Sequence, residues 1–154
     1  MIIKGAYKKF DNGLYQRYDK IAKEIVIHHV NNTQGYGDGV SAIENPDRYG
    51  PDVIMQHQGT PVRYIEVEVK NWWPNTDEFP FPTVNILERK KKFFALGAEL
   101  WMLNILMNRA MIITPEDIKY KRLVEVPNKY KPEGELFYQV PVEGLQVIHL
   151  ETLF

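Results

Sequence analysis

The stretch YGPDVIMQHQGTPVRYIEVEVKNWW, residues 49–73, carries the clearest structural pattern in this 154-residue chain. Two runs rich in valine and isoleucine flank the connection Gly59-Thr60-Pro61. Apolar, β-branched runs on either side of turn residues are typical of an antiparallel hairpin. The sequence therefore predicts two paired strands, at about residues 52–56 and 62–71.

The second of these strands would carry several ionisable side chains on one face. Because side chains alternate across a strand, Glu66, Glu68 and Lys70 share one side. A solvated outer face explains this pattern without any function, since charged residues are mostly exposed. Alternatively, Asp52 lies away from the turn, so that its carboxylate converges with Glu68 and Lys70 at one end of the sheet. Converging carboxylates repel one another unless a cation is bound, and oxygen ligands with waters suit Mg²⁺.

Pro51-Asp52, fifteen intervening residues and then Glu68-Val69-Lys70 resemble the proline-aspartate and glutamate-x-lysine motif of the PD-(D/E)xK nuclease superfamily. The resemblance covers residues 15–114 in the order helix, hairpin, helix and strand pair, and it implies a restriction-endonuclease-like fold. It further implies that Asp52 and Glu68 are carboxylate ligands of Mg²⁺, for which Mn²⁺ substitutes. In the same way the Val69 carbonyl becomes a further ligand and Lys70 the catalytic lysine.

The resemblance also implies a polar residue on the second helix that points toward the site. Apolar positions at helical spacing predict this helix over residues 83–99, and Lys90 falls near the centre of the apolar stripe. Lys90 is therefore the candidate. The alternative is a slightly different helix register in which Lys90 extends to water along the protein surface.

Many members of the superfamily place a glutamate on the first helix. Here that helix is predicted over residues 11–29, with Asp11 as N-cap. The options are Gln16, Asp19 and Glu24. None fits cleanly, because the two acidic residues lie about 100° or more from the centre of the apolar stripe and the third is an amide. Glu24 ranks first among them.

Two further features keep more than one interpretation. Glu66 is either an alternative ligand or a support for the site, or it forms a surface salt bridge with Arg48 or Arg63. The aromatic residues in Trp72-Trp73-Pro74 and Phe79-Pro80-Phe81-Pro82 follow the charged strand. They stack on unpaired bases, form a dimer surface or close the core.

The rest of the chain completes a mixed α/β pattern. A glycine-rich segment over residues 31–50 is predicted as a long loop, and further strands are predicted at 100–107, 110–114, 136–142 and 146–150. Pro115 opens a short helix. With no repeat or linker, residues 1–154 are predicted to form a single domain with a restriction-endonuclease-like core, a central mixed β-sheet flanked by helices.

Composition limits the classes of function. Apolar residues make up 44% of the chain and charged residues 25%, the net charge is −1, and cysteine is absent. Disulfides and thiolate zinc sites are therefore excluded. No run approaches the roughly 18 apolar residues of a membrane span. Without a signal-like N-terminus, the expected location is the cytoplasm, or the host cytoplasm if the chain is virus-encoded.

Together these patterns predict a Mg²⁺-dependent deoxyribonuclease that hydrolyses phosphodiester bonds in DNA. Small size and the lack of a separate recognition module are similar to the structure-specific branch, which includes Holliday-junction resolvases, and imply a homodimer. The rival is a catalytically inactive nuclease-fold module that binds DNA or another protein. The intact set of Asp52, Glu68 and Lys70 counts against this rival.

Overall fold

The computed structural model describes residues 4–127 and 131–151 of the chain. The described helices are α1 (Lys4–Asn32), α2 (Lys91–Phe94) and α3 (Pro115–Ile118), with 3₁₀ turns at Gln34–Tyr36 and Glu88–Lys90. The described strands are β1 (Val40–Glu44), β2 (Val53–His57), β3 (Thr60–Val69), β4 (Thr83–Leu87), β5 (Glu99–Leu103), β6 (Arg109–Ile113), β7 (Leu123–Val126), β8 (Glu135–Pro141) and β9 (Gln146–His149).

The strands form two sheets that pack in layers with α1. Six strands make a mixed sheet in the order β1-β2-β3-β5-β6-β9, and the other three make a sheet in the order β4-β8-β7. Within the larger sheet β3 and β5 run parallel, whereas the remaining pairs are antiparallel. Helix α1 covers one face of this sheet, and the core on its other face includes residues of the smaller sheet. The predicted α/β class with a mixed sheet is confirmed.

Strands β5 and β6 show how one sheet serves two cores. Trp101 and Leu103 pack with α1, whereas Leu100 and Met102 belong to the core shared with the smaller sheet. A strand that is covered on both faces has a nearly continuous apolar sequence. This continuity is why both strands could be predicted from the sequence.

The predicted hairpin is confirmed, with a tighter turn than expected. β2 and β3 pair antiparallel around Gln58 and Gly59, whose φ angles are +51° and +82°. Two successive residues with positive φ give a turn whose twist matches that of the paired strands, and glycine adopts this conformation without steric cost. Thr60 already pairs with His57, so β3 begins before residue 62.

Two predictions for the N-terminal part are wrong in extent. Helix α1 begins at Lys4, so Asp11 lies within the helix and is not its N-cap. The predicted loop over residues 31–50 contains β1, which pairs with β2. Asn31 ties this strand to the helix, because its side-chain oxygen accepts the Ala42 N–H at 2.7 Å and its amide donates to the Ala42 carbonyl at 3.2 Å. β1 is satisfied by its pairing with β2, a partner that the local composition does not encode.

The predicted second helix over residues 83–99 is also wrong. Residues Thr83–Leu87 form β4, and only Lys91–Phe94 are α-helical. Val84 and Ile86 are buried while Asn85 between them is exposed, which is the two-residue period of a strand. β4 pairs along its whole length with β8, and the paired residues are 50 to 58 positions apart in the sequence. The backbone is therefore satisfied by a partner that helical spacing could not reveal.

The C-terminal predictions hold with shifted boundaries. The predicted short helix is α3, where the Asp117 carboxylate accepts the Thr114 N–H at 2.8 Å and its hydroxyl at 2.9 Å. This reciprocal cap stabilises the first turn of a helix. The late strands predicted at 136–142 and 146–150 correspond to β8 and β9, whereas β7 was not predicted.

Helix α1 is 29 residues long, but it is rich in charged and polar residues. Within residues 4–127 and 131–151, no helix is both long and apolar enough to cross a bilayer.

Candidate functional site

A bulge in β3 decides where Asp52 lies. The pairing of β2 with β3 skips Val62, so β3 has one extra residue in the ladder. Beyond this point Val53 opposes Ile65, and Asp52 therefore comes into line with Glu66. A shift of one residue exchanges the two faces of a strand, so the bulge changes which residues of β3 share a face with those of β2.

The register also makes Asp52 and Glu68 neighbours. Val53 and Ile65 both belong to the α1 core, and β2 begins at Val53, so Asp52 stands just before the strand, opposite Glu66. Glu68 is the diagonal neighbour of Asp52 across the strand pair. Diagonal neighbours are roughly 7–8 Å apart, within reach of long side chains.

Asp52 is held by both backbone and side-chain contacts. Its carboxylate accepts the Val67 N–H at 2.9 Å, and its own N–H donates to the Glu66 Oε1 at 3.2 Å. The paired register of β2 with β3 runs only as far as Val53, so the carboxylate satisfies an N–H at the end of the ladder. Lys23 Nζ lies 3.6 Å from the second carboxylate oxygen. Asp52 is therefore fixed at the end of the β2–β3 pair, between α1 and Glu66.

Glu68 and Lys70 form an ion pair on the same end of β3. Lys70 Nζ lies 3.0 Å from Glu68 Oε1, and their side chains are 18% and 29% exposed. The Lys70 N–H donates to the Leu103 carbonyl at 2.8 Å, which keeps this segment aligned with β5. Both side chains combine a fixed backbone with access to water. Val69 lies between them, and its side chain packs against the α1 core.

Glu66 is the most deeply placed carboxylate of the group. It is 7% exposed, and it is the one buried ionisable side chain among the residues that the structure describes. Lys90 Nζ contacts Glu66 Oε2 at 2.5 Å. Burial and the neighbouring charge of Asp52 raise the pKa of Glu66, against the opposing effect of Lys90, to about 7.

The predicted surface salt bridge for Glu66 is wrong. Arg63 lies 3.8 Å from Glu99, and Arg48 donates to the Tyr49 hydroxyl at 2.9 Å. Glu66 instead lies in a packed region that is lined by Lys90, Phe93 and neighbouring side chains. Its buried position next to Asp52 suits a residue that supports the site.

Lys90 reaches this group from an element other than the predicted one. It lies in the 3₁₀ turn Glu88–Lys90 and not in the middle of a long helix. Its ammonium group is 5.6 Å from the Phe93 ring centroid, so it remains beside the core while it contacts Glu66. Lys90 has its partner in Glu66, although the long helix from which its position was predicted does not form.

The first helix contributes a lysine where a glutamate was expected. Glu24 is exposed on α1, whereas the neighbouring Lys23 lies 3.2 Å from Asp19, 3.6 Å from Asp52 and 3.8 Å from Glu44. Burial lowers the pKa of Lys23, but the Asp19 hydrogen bond and the three nearby carboxylates outweigh it and raise that pKa. The sequence signal was the position of Lys23 one helical turn before the buried Val26.

A polar cleft opens beside Asp52. It has a volume of about 350 Å³ and is lined by residues 44–48 and 50–52 together with Lys23. Asn45 organises its wall: the Asn45 amide donates to the Pro51 carbonyl at 2.8 Å, and its backbone N–H donates to the Asp52 carbonyl at 2.9 Å. Asp52 therefore has solvent on one side and the packed Glu66 on the other.

Two groups of charged residues lie at this end of β3. Contacts join Lys23, Asp52, Glu66 and Lys90 in one group, and Glu68 pairs with Lys70 in the other. Among the side chains that the structure describes, no three or more His, Cys, Asp or Glu residues are arranged so that they could share a metal ion. The described geometry therefore offers paired carboxylates and lysines and no larger acidic cage.

Comparisons with family models, with curated proteins and with solved structures find no match to this chain.

Proposed function

We propose that this protein is a Mg²⁺-dependent nuclease that hydrolyses phosphodiester bonds in DNA through Asp52, Glu68 and Lys70. The observation that carries the proposal is the β2–β3 register, in which the bulge at Val62 brings Asp52 into line with Glu66, one pleat from the Glu68–Lys70 ion pair. β-Bulges are over-represented next to active sites, where they re-aim a side chain.

The order of elements supports the same proposal. Helix α1, the hairpin with its acidic motif, a connection that contains α2, and the strand pair β5 and β6 follow one another in the order that the resemblance implies. Strand β5 joins β3 in parallel after this connection. The connection differs from the expected one, since its helix is a single short turn and β4 belongs to a separate sheet.

The donor groups at the site fit Mg²⁺. Mg²⁺ is usually bound by one or two carboxylates and several waters, so Asp52 and Glu68 suffice without a third acidic ligand. Their side chains are 19% and 29% exposed, which leaves room for water ligands. The Val69 carbonyl, between Glu68 and Lys70, is the proposed further ligand. When bound, the ion supplies positive charge that polarises the phosphate and lowers the pKa of a bound water.

The lysines have separate tasks in this proposal. Lys70 stands 3.0 Å from Glu68 and can orient the attacking water or stabilise negative charge that develops on the phosphate. Lys90 neutralises the charge of Glu66, which reduces the repulsion between Glu66 and the neighbouring Asp52. Lys23 faces the open cleft and is placed to meet a phosphate that approaches Asp52. In this scheme Lys23 takes the place on α1 for which Glu24 was the candidate.

One observation favours the rival, an inactive nuclease-fold module that binds DNA or a protein. Asp52 and Glu68 each already have a lysine partner, at 3.6 Å and 3.0 Å, so the carboxylates are neutralised without a metal. A site of this kind can hold a phosphate backbone without cutting it.

Cleavage and metal binding separate the two functions. Plasmid, branched and single-stranded DNA are incubated with the protein in Mg²⁺, Mn²⁺ or EDTA. We expect metal-dependent cutting that falls by about a hundredfold or more in Lys70→Ala, since a single group that stabilises transition-state charge has this effect. Lys91→Ala is the matched control, because Lys91 is a 63% exposed lysine that pairs with Glu88 instead.

A second measurement guards against a contaminating nuclease. Mn²⁺ binding is measured by the loss of the spin-resonance signal of free Mn²⁺. We expect binding by the wild type and by Lys70→Ala, but not by Asp52→Asn. DNA binding without cutting in every variant, together with no Mn²⁺ binding, would establish the inactive module instead. The homodimer implied by the resemblance stays a prediction, which sedimentation velocity tests.

A further inference from the structure

Two aromatic side chains stand exposed directly after the proposed catalytic strand. Trp72 is 47% exposed and Phe81 is 55% exposed, whereas Trp73 and Phe79 in the same segment are 0% and 7% exposed. The segment over residues 71–82 therefore closes the core with one pair of rings and presents another pair to the outside. The core-closing interpretation accounts for Trp73 and Phe79 but leaves Trp72 and Phe81 without a role.

The exposed pair is held rigidly by the buried one. The Trp72 ring centroid lies 5.2 Å from that of Phe79 and 5.3 Å from that of Phe81, in edge-to-face contacts. Phe79 in turn packs edge-on against the buried Trp73 at 5.4 Å. Rings fixed in this way have already lost their rotational freedom, so little further entropy is lost when a ligand stacks on them.

The aromatic pair adjoins the charged site. Lys70 Nζ lies 5.9 Å from the Trp72 ring centroid and 3.0 Å from Glu68 Oε1. One lysine therefore touches both the proposed cleavage site and an exposed aromatic ring. A ligand that covers Trp72 brings its own charged groups to Lys70, and an anionic backbone with flat apolar groups matches this combination.

We propose that Trp72 and Phe81 stack on unpaired nucleobases of a DNA strand whose backbone phosphate meets Lys70. This inference rests on the proposed nuclease function and narrows its substrate class. In an intact duplex the faces of each base are covered by its neighbours, so a stacking platform selects single strands, forks and branch points. The site thus binds an unpaired base beside the phosphate and does not distinguish one base sequence from another.

The size of the exposed area distinguishes a base from a second protein chain. An aromatic side chain buries 150–250 Å² at most, so two half-exposed rings offer roughly 200 Å² in all. A stable protein interface needs about 800 Å² from each partner. The exposed pair alone fits one or two bases and falls well short of a dimer surface.

Intrinsic fluorescence gives a direct test that needs no catalysis. The chain has three tryptophans, and Trp73 and Trp101 are both fully buried, so Trp72 is the one that a ligand can reach. The protein is titrated in EDTA with a single-stranded oligothymidylate, with an abasic strand of the same length and with a blunt duplex. We expect tryptophan quenching by the oligothymidylate and little by the other two.

Variants locate the effect. Trp72→Ala and Phe81→Ala are each expected to weaken oligothymidylate binding by between about fivefold and a hundredfold, the range for stacking of one base on one aromatic ring. Trp72→Phe should restore most of the affinity. Tyr120→Ala is the matched control, because Tyr120 is 95% exposed with Lys119 over its ring at 5.6 Å, yet it belongs to another segment. The thermal unfolding midpoint of each variant verifies its fold.

Several results would overturn the inference. Equal affinity for the abasic strand and the oligothymidylate excludes base stacking, as does an unchanged affinity in both alanine variants. If sedimentation shows a dimer that Trp72→Ala dissociates, with no change in DNA affinity, the pair is an interface between copies. If the protein cuts DNA but Trp72→Ala binds the oligothymidylate as tightly as the wild type, the stacking site is excluded and the nuclease proposal is unaffected. If single strands quench the tryptophan fluorescence but no DNA is cut, the nuclease proposal is excluded and the stacking site is unaffected.

Discussion

The buried carboxyl of Glu66 makes the stability of this protein depend on pH, and Glu66→Gln should remove that dependence. Glu66 is 7% exposed and lies between Asp52 and Lys90. Its pKa rises from 4.5 to about 7 in the folded chain. Glutamine keeps the shape and the accepting oxygen but cannot titrate, so the variant isolates this one proton.

The sign follows from proton linkage. Because the folded pKa is raised, the folded state holds the proton more tightly than the unfolded chain between pH 4.5 and about 7. The stabilisation is complete below pH 4.5 and is lost as the pH rises through about 7. At 1.36 kcal/mol per pKa unit, the full change in the free energy of unfolding is about 3 kcal/mol.

Urea unfolding at a series of pH values between 4.5 and 8 measures this change. The quantity of interest is the free energy of unfolding of Glu66→Gln minus that of the wild type, because contributions of other titrating groups largely cancel. We expect this difference to shift in favour of the variant by about 3 kcal/mol across the range. Glu24→Gln, at an exposed position on α1, is the control for the substitution itself. A pH-independent difference for Glu66→Gln would refute the reasoning.

Two further predictions concern the loop before β6 and the bulge. Asn104 is fully buried, and its side-chain oxygen accepts the N–H groups of Asn108 and Arg109, both at 3.0 Å. Asn104→Ala should lower the free energy of unfolding in urea by about 2 kcal/mol, because two partly buried N–H groups lose their partner. A loss below about 0.5 kcal/mol would contradict this. Deletion of Val62 removes the bulge and shifts the register of β2 on β3 by one residue, so Asp52 should no longer stand opposite Glu66 and Mn²⁺ binding should be lost. Retained binding in a folded deletion variant would show that the register does not position Asp52.

Much of the central hairpin, and the hypothesis that its charged residues form a site, could be predicted from the local sequence. The presence of a turn at Gly59, the alternation along β3 and the continuous apolar run of β5 are properties of short segments, whereas the exact turn residues were not predicted. Alternation alone put Glu66, Glu68 and Lys70 on one face, because side-chain direction in a strand has a period of two residues. The bulge was not foreseen, although the residue that Asp52 stands opposite depends on it.

The partners of the charged groups were decided by the tertiary structure. Lys90 meets Glu66 across 24 residues from a 3₁₀ turn, and Lys23 meets Asp52 from a helix face on which a glutamate was expected. The segment Thr83–Leu87 became β4 because β8 supplies its backbone partners. The sequence by itself determined which residues alternate along the strands and that a turn lies at Gly59, since these preferences act over a few neighbours. Which strand pairs with which, and which lysine neutralises which carboxylate, depends on contacts between distant segments that exist only once the layers are packed.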